Sequence, residues 1–175
     1  MLNDSVMAPM IDLYKRHLIA DLQLIDSLVN QFSFIDSDLS NWKETYLDKE
    51  SNDKWLSYYV NSAQQGGGHN ILARLPLPTT DKLIDIALHS EFEDEVFAAC
   101  LTLIDNEALK KEDFRMSLVD KLEKINNINR QKTVIELTGL SSRLNRREVM
   151  GKTSEQIEAD TYYYKQVAER AKKLR

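Results

Sequence analysis

Apolar residues along most of the chain recur three or four positions apart, a spacing that predicts helices. The clearest case runs from Thr80 to Ile125. Leu83, Ile84, Ala87 and Leu88 share one helical face. Phe92, Val96, Phe97, Ala99, Cys100 and Leu103 form a second stripe, and Phe114, Leu118, Leu122 and Ile125 a third. Thr80 follows Pro76 and Pro78 as an N-cap, and Ser90-Glu91-Phe92-Glu93 has the spacing of a capping box that restarts the helix. Helices joined by two or three residues lie antiparallel and share a seam. The expected unit is a helical hairpin stack over 80–127, with Phe97 and Leu118 buried together.

Upstream, Met10, Leu13, Tyr14, His17, Leu18, Ile25, Leu28, Val29 and Phe32 keep to one broad stripe and predict a first helix over about 8–30. Asp36-Ser37-Asp38 breaks it and caps a second helix carrying Leu39, Trp42, Tyr46 and Leu47. A third, with Trp55, Leu56, Tyr59 and Val60, follows Ser51-Asn52-Asp53. Both tryptophans are expected to pack together or against the first helix. Gly66-Gly67-Gly68 interrupts the helical pattern before a short turn through Ile71, Leu72 and Leu75. Downstream, Val134, Ile135 and Leu137 predict a helix ended by Gly139. A turn through Leu144 to Met150 stops at Gly151. The last helix opens on the capping box Thr153-Ser154-Glu155-Gln156 and turns Ile157, Thr161, Tyr164, Ala168 and Ala171 inward. No alternating strand pattern persists. The expected fold is a single all-α domain over 1–175, with eight or nine helices and no sheet. It divides into an N-terminal helical layer over 1–65, the stack over 80–127 and basic C-terminal helices over 128–175.

Composition agrees with that class. Five glycines and three prolines are few for an all-β chain of 175 residues. The net charge of −5 disfavours non-specific binding to nucleic acid or anionic membrane. One cysteine leaves no internal disulfide and points to a reducing cytoplasm. No apolar run reaches the length of a membrane span, and no leader pattern is visible at the start. The charge is unevenly spread: −4 over 1–80, −6 over 81–128 and +5 over 129–175. Asp81, Asp85, Glu91, Glu93, Asp94, Glu95, Asp105 and Glu107 stand against one base between 81 and 107. Ordinary surfaces intersperse both signs, so these eight acids are the expected docking surface for a basic partner. Exposed acids tolerate substitution, so charge reversal at Glu93, Asp94 and Glu95 is expected to leave the fold nearly unchanged.

Candidate chemistry is sparse. Gly66-Gly67-Gly68-His69-Asn70 lacks the Lys-Ser/Thr of a phosphate-binding loop. It reads as a connection, with Gly67, His69 and Asn70 as a second candidate for partner contact. His17 and Asp21 lie one turn apart and read as an internal pair rather than metal ligands. Cys100 sits on an apolar face as a structural thiol. No serine, cysteine or lysine has a nucleophile context, and the residues call for no catalytic group, metal or cofactor. Thr133 to Ser141 looks like the first helix and turn of a helix-turn-helix, with Arg143, Arg146 and Arg147 where a recognition helix would follow. Ile135, Asn145 and Glu148 depart from that pattern. A DNA-binding regulator using 131–150 is the alternative reading.

Thr80 to Ala87 followed by Glu93 to Leu101 resembles a HEAT-type helical hairpin, and Phe114 to Leu122 looks like the opening of another. Small, acidic, all-α proteins with such hairpins are similar to immunity proteins of bacterial toxin systems, including contact-dependent growth inhibition. The resemblance implies a cytoplasmic bacterial inhibitor, not an enzyme, that binds a cognate toxin domain and blocks its active site. The implied partner is a nuclease domain with a basic surface, and an acidic inhibitor would steer onto it quickly.

Overall fold

The computed structural model describes residues 13–61 and 67–175. It overturns the all-α expectation. The N-terminal half is a five-stranded antiparallel sheet, and the described residues hold six α-helices rather than eight or nine. Among the described residues of the predicted helical layer over 1–65, strand outweighs helix, and the HEAT-like architecture falls with it. The expected start of the first helix, before Leu13, lies outside the described residues.

A 3-10 turn at Leu13–Lys15 leads into β1 (Leu18–Ile19) and α1 (Leu22–Gln31). Next come β2 (Ser33–Asp38), β3 (Lys43–Leu47), β4 (Lys54–Val60) and β5 (His69–Arg74). The sheet order is β1-β5-β4-β3-β2. The register sets Leu18 opposite Ala73, Trp55 opposite Arg74 and Tyr46 opposite Trp55. Side chains alternate across a strand, so neighbouring residues serve two different cores. Ile19, Trp55 and Leu72 face α1 and pack with Ile25 and Leu28. Leu18, Val60, Ile71 and Ala73 face the helical half and join the larger core.

This two-sided burial hid β4 and β5. A strand covered on both faces loses its polar alternation and reads as a continuous apolar run. Trp55-Leu56-Ser57-Tyr58-Tyr59-Val60 is such a run, and its aromatic and β-branched residues suit a pleated surface better than a helix. Trp55 is fully buried and stacks on Phe32, as the expected packing against the first helix requires. Trp42 does not join it.

The helices that follow match the expected hairpin more closely. They are α2 (Thr80–His89), α3 (Glu93–Lys110), α4 (Arg115–Leu122), α5 (Ile128–Thr138) and α6 (Ser154–Lys172). α2 and α3 pack together through Leu83, Ala87, Val96, Ala99 and Leu103. Leu118 is fully buried in the same core, and Phe97 packs partly buried against it. Burying each such leucine or valine side chain is worth about 1.5–3 kcal/mol. The caps shift by one or two residues. Thr79, not Thr80, accepts from the Lys82 N–H. Ser90 builds no capping box: its hydroxyl donates to Glu95 and accepts from the Phe92 N–H. Gly139 ends α5 in a left-handed conformation, and Thr153 with Gln156 forms the expected capping box of α6. α6 lies against α4, where Arg170 bridges Asp120 and Glu123. No helix among the described residues is long and apolar enough to cross a membrane.

Candidate partner-binding site

The eight acids predicted as a docking surface are not one surface. Four are exposed and each meets a base: Asp81 meets Lys121, Asp85 meets Lys82, Glu91 meets Lys15 and Glu93 meets Arg130. Asp94 and Glu95 turn inward onto the sheet. Glu95 is 2% exposed and accepts from the main-chain N–H groups of His17 (2.6 Å) and Leu18 (3.0 Å). Asp94 pairs with Arg16 and accepts from the Ala20 and Asp21 N–H groups. Asp105 accepts from the Asn61 N–H at 2.9 Å. Glu107 accepts two hydrogen bonds from the buried Arg115 guanidinium, at 2.6 and 2.7 Å, and one from the Tyr164 hydroxyl. The bases missing from 81–107 in sequence are thus supplied in space by other segments.

His17 and His89 share a hollow of about 260 Å³ with Lys82, Asp85 and Glu91. Burial, then the neighbouring Lys82 charge, lowers the pKa of His17. The expected His17–Asp21 pair does not form: Asp21 instead caps α1 by accepting from the Leu24 N–H. Cys100 is buried, and that burial pushes its thiol up to about 12, which keeps it protonated and unreactive.

The glycine run also changes character. β4 does precede it, but the Lys-Ser/Thr of a phosphate loop is still missing. His69 and Asn70 open β5 rather than sitting in a loop. His69 meets the Phe97 ring edge-on at 5.1 Å on the helical side of the sheet. On the opposite face, the Asn70 side-chain oxygen accepts from the Ser57 hydroxyl.

The segment proposed for DNA recognition forms no second helix. Residues 140–153 run as turns and extended chain after Gly139. Arg147 is held by Asp113 and Asp160, and Arg143 by Glu169. A helix-turn-helix needs a helix there to enter the major groove.

The region that sequence patterning missed is the end of the sheet that α1 leaves uncovered. Ser57, Tyr59 and Asn70 project there beside the β2–β3 turn. Leu39 is 80% exposed, Trp42 76% and Tyr59 43%. Two adjoining hollows of about 430 and 470 Å³ share Trp42 and Tyr59. Leu39, Glu44, Ser57 and Asn70 line the first, and Ser40, Asn41 and Gly67 the second. The turn that presents this surface is tied to Asp38, whose carboxylate accepts from the Ser40 hydroxyl (2.6 Å), the Asn41 side-chain amide (2.6 Å) and the Asn41 N–H (3.3 Å). The Ser40 bond, followed by that from Asn41, lowers the Asp38 pKa. Trp42 then enters β3 with a φ of +52°. The turn was legible in Asp38-Leu39-Ser40-Asn41, a run rich in turn-forming residues.

Compared with family models, curated proteins and solved structures, the chain matches none. The functional reading therefore rests on the residues of the site.

Proposed function

We propose that this protein acts by binding a partner at the open end of its sheet. The partner is a basic toxin domain of the nuclease kind, and the chain blocks it as an immunity protein, sterically and without chemistry. The observation that carries the reading is Trp42. It is 76% exposed and sits at a φ of +52°, a region that bulky side chains rarely adopt. Such a backbone costs about 1–3 kcal/mol and persists where its surroundings enforce it, often at ligand clamps. Asp38 holds the two residues before Trp42, Ser40 and Asn41, and burial of the indole offsets little of the cost.

An exposed tryptophan flanked by Leu39 and Tyr59 has the composition of an interface hot spot. The turn is preformed, so little ordering entropy is lost on association. Asp81, Asp85, Glu91 and Glu93 need not touch the partner: each is paired with a base, and it is the net charge of −5 over the whole chain that raises the association rate of a basic partner. Gly67 and Asn70 line the same hollows as Trp42, which supports counting them in the proposed contact surface.

The test is growth rescue on co-expression with nuclease toxin domains, beginning with any that a neighbouring reading frame encodes. The parent chain should rescue, and the Trp42→Ala, Tyr59→Ala pair should not, at equal abundance and thermal stability. No rescue by the parent chain, or undiminished rescue by the pair, overturns the reading.

A further inference from the structure

The two edges of the sheet are finished differently. At β1, the Leu18 N–H donates to Glu95 and the Leu18 carbonyl accepts from the Arg16 guanidinium. Asp94 takes the next free N–H groups, of Ala20 and Asp21. Side chains of α3 and Arg16 thus occupy the groups that another strand would need, and that edge is closed.

At β2 the opposite holds. It is the last strand of the sheet, and among the described residues nothing pairs with its outer side. Phe34 and Ile35 are 58% and 45% exposed. Asp36 lies opposite Thr45 and Asp38 opposite Lys43, so both acids share one face, while Phe34, opposite Tyr46, lies on the other. A bulge separates Phe34 from Asp36. The ribbon over 33–47 carries three acids and one base.

This charge pattern selects what can be added. A second copy pairing edge to edge would set Asp36 and Asp38 near their counterparts, and like charges across strands are destabilising. The bulge further disrupts a flat self-pairing. A strand with lysine or arginine at every second position would instead set its bases beside Asp36 and Asp38 and its intervening apolar residues beside Phe34. We infer that the free edge of β2, Ser33–Asp38, takes an extended basic segment of a partner protein by strand addition, with alternate Lys/Arg residues facing Asp36 and Asp38. This inference rests on the reading of this end of the sheet as the partner surface, and it names the chemistry of what docks there. Main-chain pairing supplies affinity in such complexes, and alternate side chains supply specificity.

The probe is a synthetic peptide of about eight residues alternating lysine with valine, added to the full chain. Amide shifts and hydrogen exchange are followed residue by residue. The lysine peptide should shift and protect amides within 33–38. A peptide with glutamate for lysine should not, and nor should a lysine peptide with a central proline that cannot pair. Asp36→Lys, an exposed change, should weaken the lysine peptide roughly tenfold. The inference is overturned if millimolar lysine peptide leaves 33–38 unchanged or perturbs only the exposed acids of 81–93. It is overturned equally if the proline peptide acts as strongly as the parent peptide. Outer amides of β2 already protected in the free chain would mean that another part of the chain lies there. Protection that rises with protein concentration would mean that a second copy does; either result also overturns it. The growth assay separates this from the broader reading. Rescue lost with the Trp42, Tyr59 pair but kept with Asp36→Lys removes strand addition and leaves the surface standing.

Discussion

Glu95 and Leu18, separated by 77 positions in sequence, are joined where a carboxylate oxygen of α3 accepts the outward N–H of β1 at 3.0 Å. The same oxygen accepts from His17, and the other oxygen from Ser90 at 2.5 Å. Removing this buried acceptor strands two main-chain donors. Glu95→Ala should therefore destabilise the fold by about 3 kcal/mol, read by chemical denaturation. Glu93→Ala, two residues away, removes an exposed carboxylate from an Arg130 that keeps its bonds to the Ala87 and Ser90 carbonyls, and should cost no more than about 1 kcal/mol. Equal effects would show that Glu95 is not the anchor. Reversing Glu93, Asp94 and Glu95 together, which sequence reading treats as harmless, should unfold the junction.

The two tryptophans should report separately. Trp55 is fully buried, and its indole N–H has no hydrogen-bond partner among the described residues. Trp42→Phe should leave blue-shifted emission that acrylamide barely quenches, while the parent chain should add a red-shifted, readily quenched component. If the two proteins quench alike, Trp42 is not exposed in solution.

Arg115 is 1% exposed and depends on Glu107 for its charge balance. Its pKa is raised on balance: burial opposes the charge, and the Glu107 hydrogen bonds and field outweigh that opposition. Arg115→Met strands a largely buried carboxylate and should cost about 3 kcal/mol. The joint Arg115→Met, Glu107→Leu replacement should cost distinctly less, because neither charge is left alone. A double-mutant cycle measures the difference, and simple additivity would contradict the coupling.

Acid should loosen the segment before α6. Asp160 is held below its ordinary value of 3.8, first by the hydrogen bond from Lys152 and then by that from Arg147. A carboxylate with a lowered folded pKa adds stability above its unfolded value and loses it as pH falls through the folded one. The contribution of Asp160 should thus be complete above about pH 4 and disappear below it. Asp160→Asn should flatten that part of the stability profile. An unchanged acid limb in the variant would mean that other carboxylates govern it.

Sequence patterning captured the helical half because its signals are local. The α2–α3 seam, the left-handed Gly139 and the Thr153 capping box each depend on residues within a turn or two of one another. The sheet depends on partners far apart. β1 finds β5 across some fifty positions, and α1, between β1 and β2, covers Trp55 and Leu72 from outside. Along β4, Leu56, Tyr58 and Val60 on one face are matched by Trp55 under α1 and by Tyr59 beyond it on the other, with Ser57 alone between them polar, so period two is blurred. The acidic run misled for a related reason. Its countercharges, Lys15, Arg16, Arg115, Lys121 and Arg130, lie elsewhere in the chain. Trp42 was assigned to a helical core because an apolar residue at helical spacing carries no mark of exposure, although the turn residues before it were visible.

The unequal finish of the two sheet edges has a consequence for synthesis. All five strands have been made by Arg74, but β1 stays unfinished until Asp94 and Glu95 follow. During that interval the nascent sheet has two open borders, the condition in which chains misassociate. The border open only while the chain is being made carries Leu18, which is fully buried in the core that α3 completes. The other border, which no strand among the described residues pairs, carries Asp36, Asp38 and a bulge, a guard against its own kind.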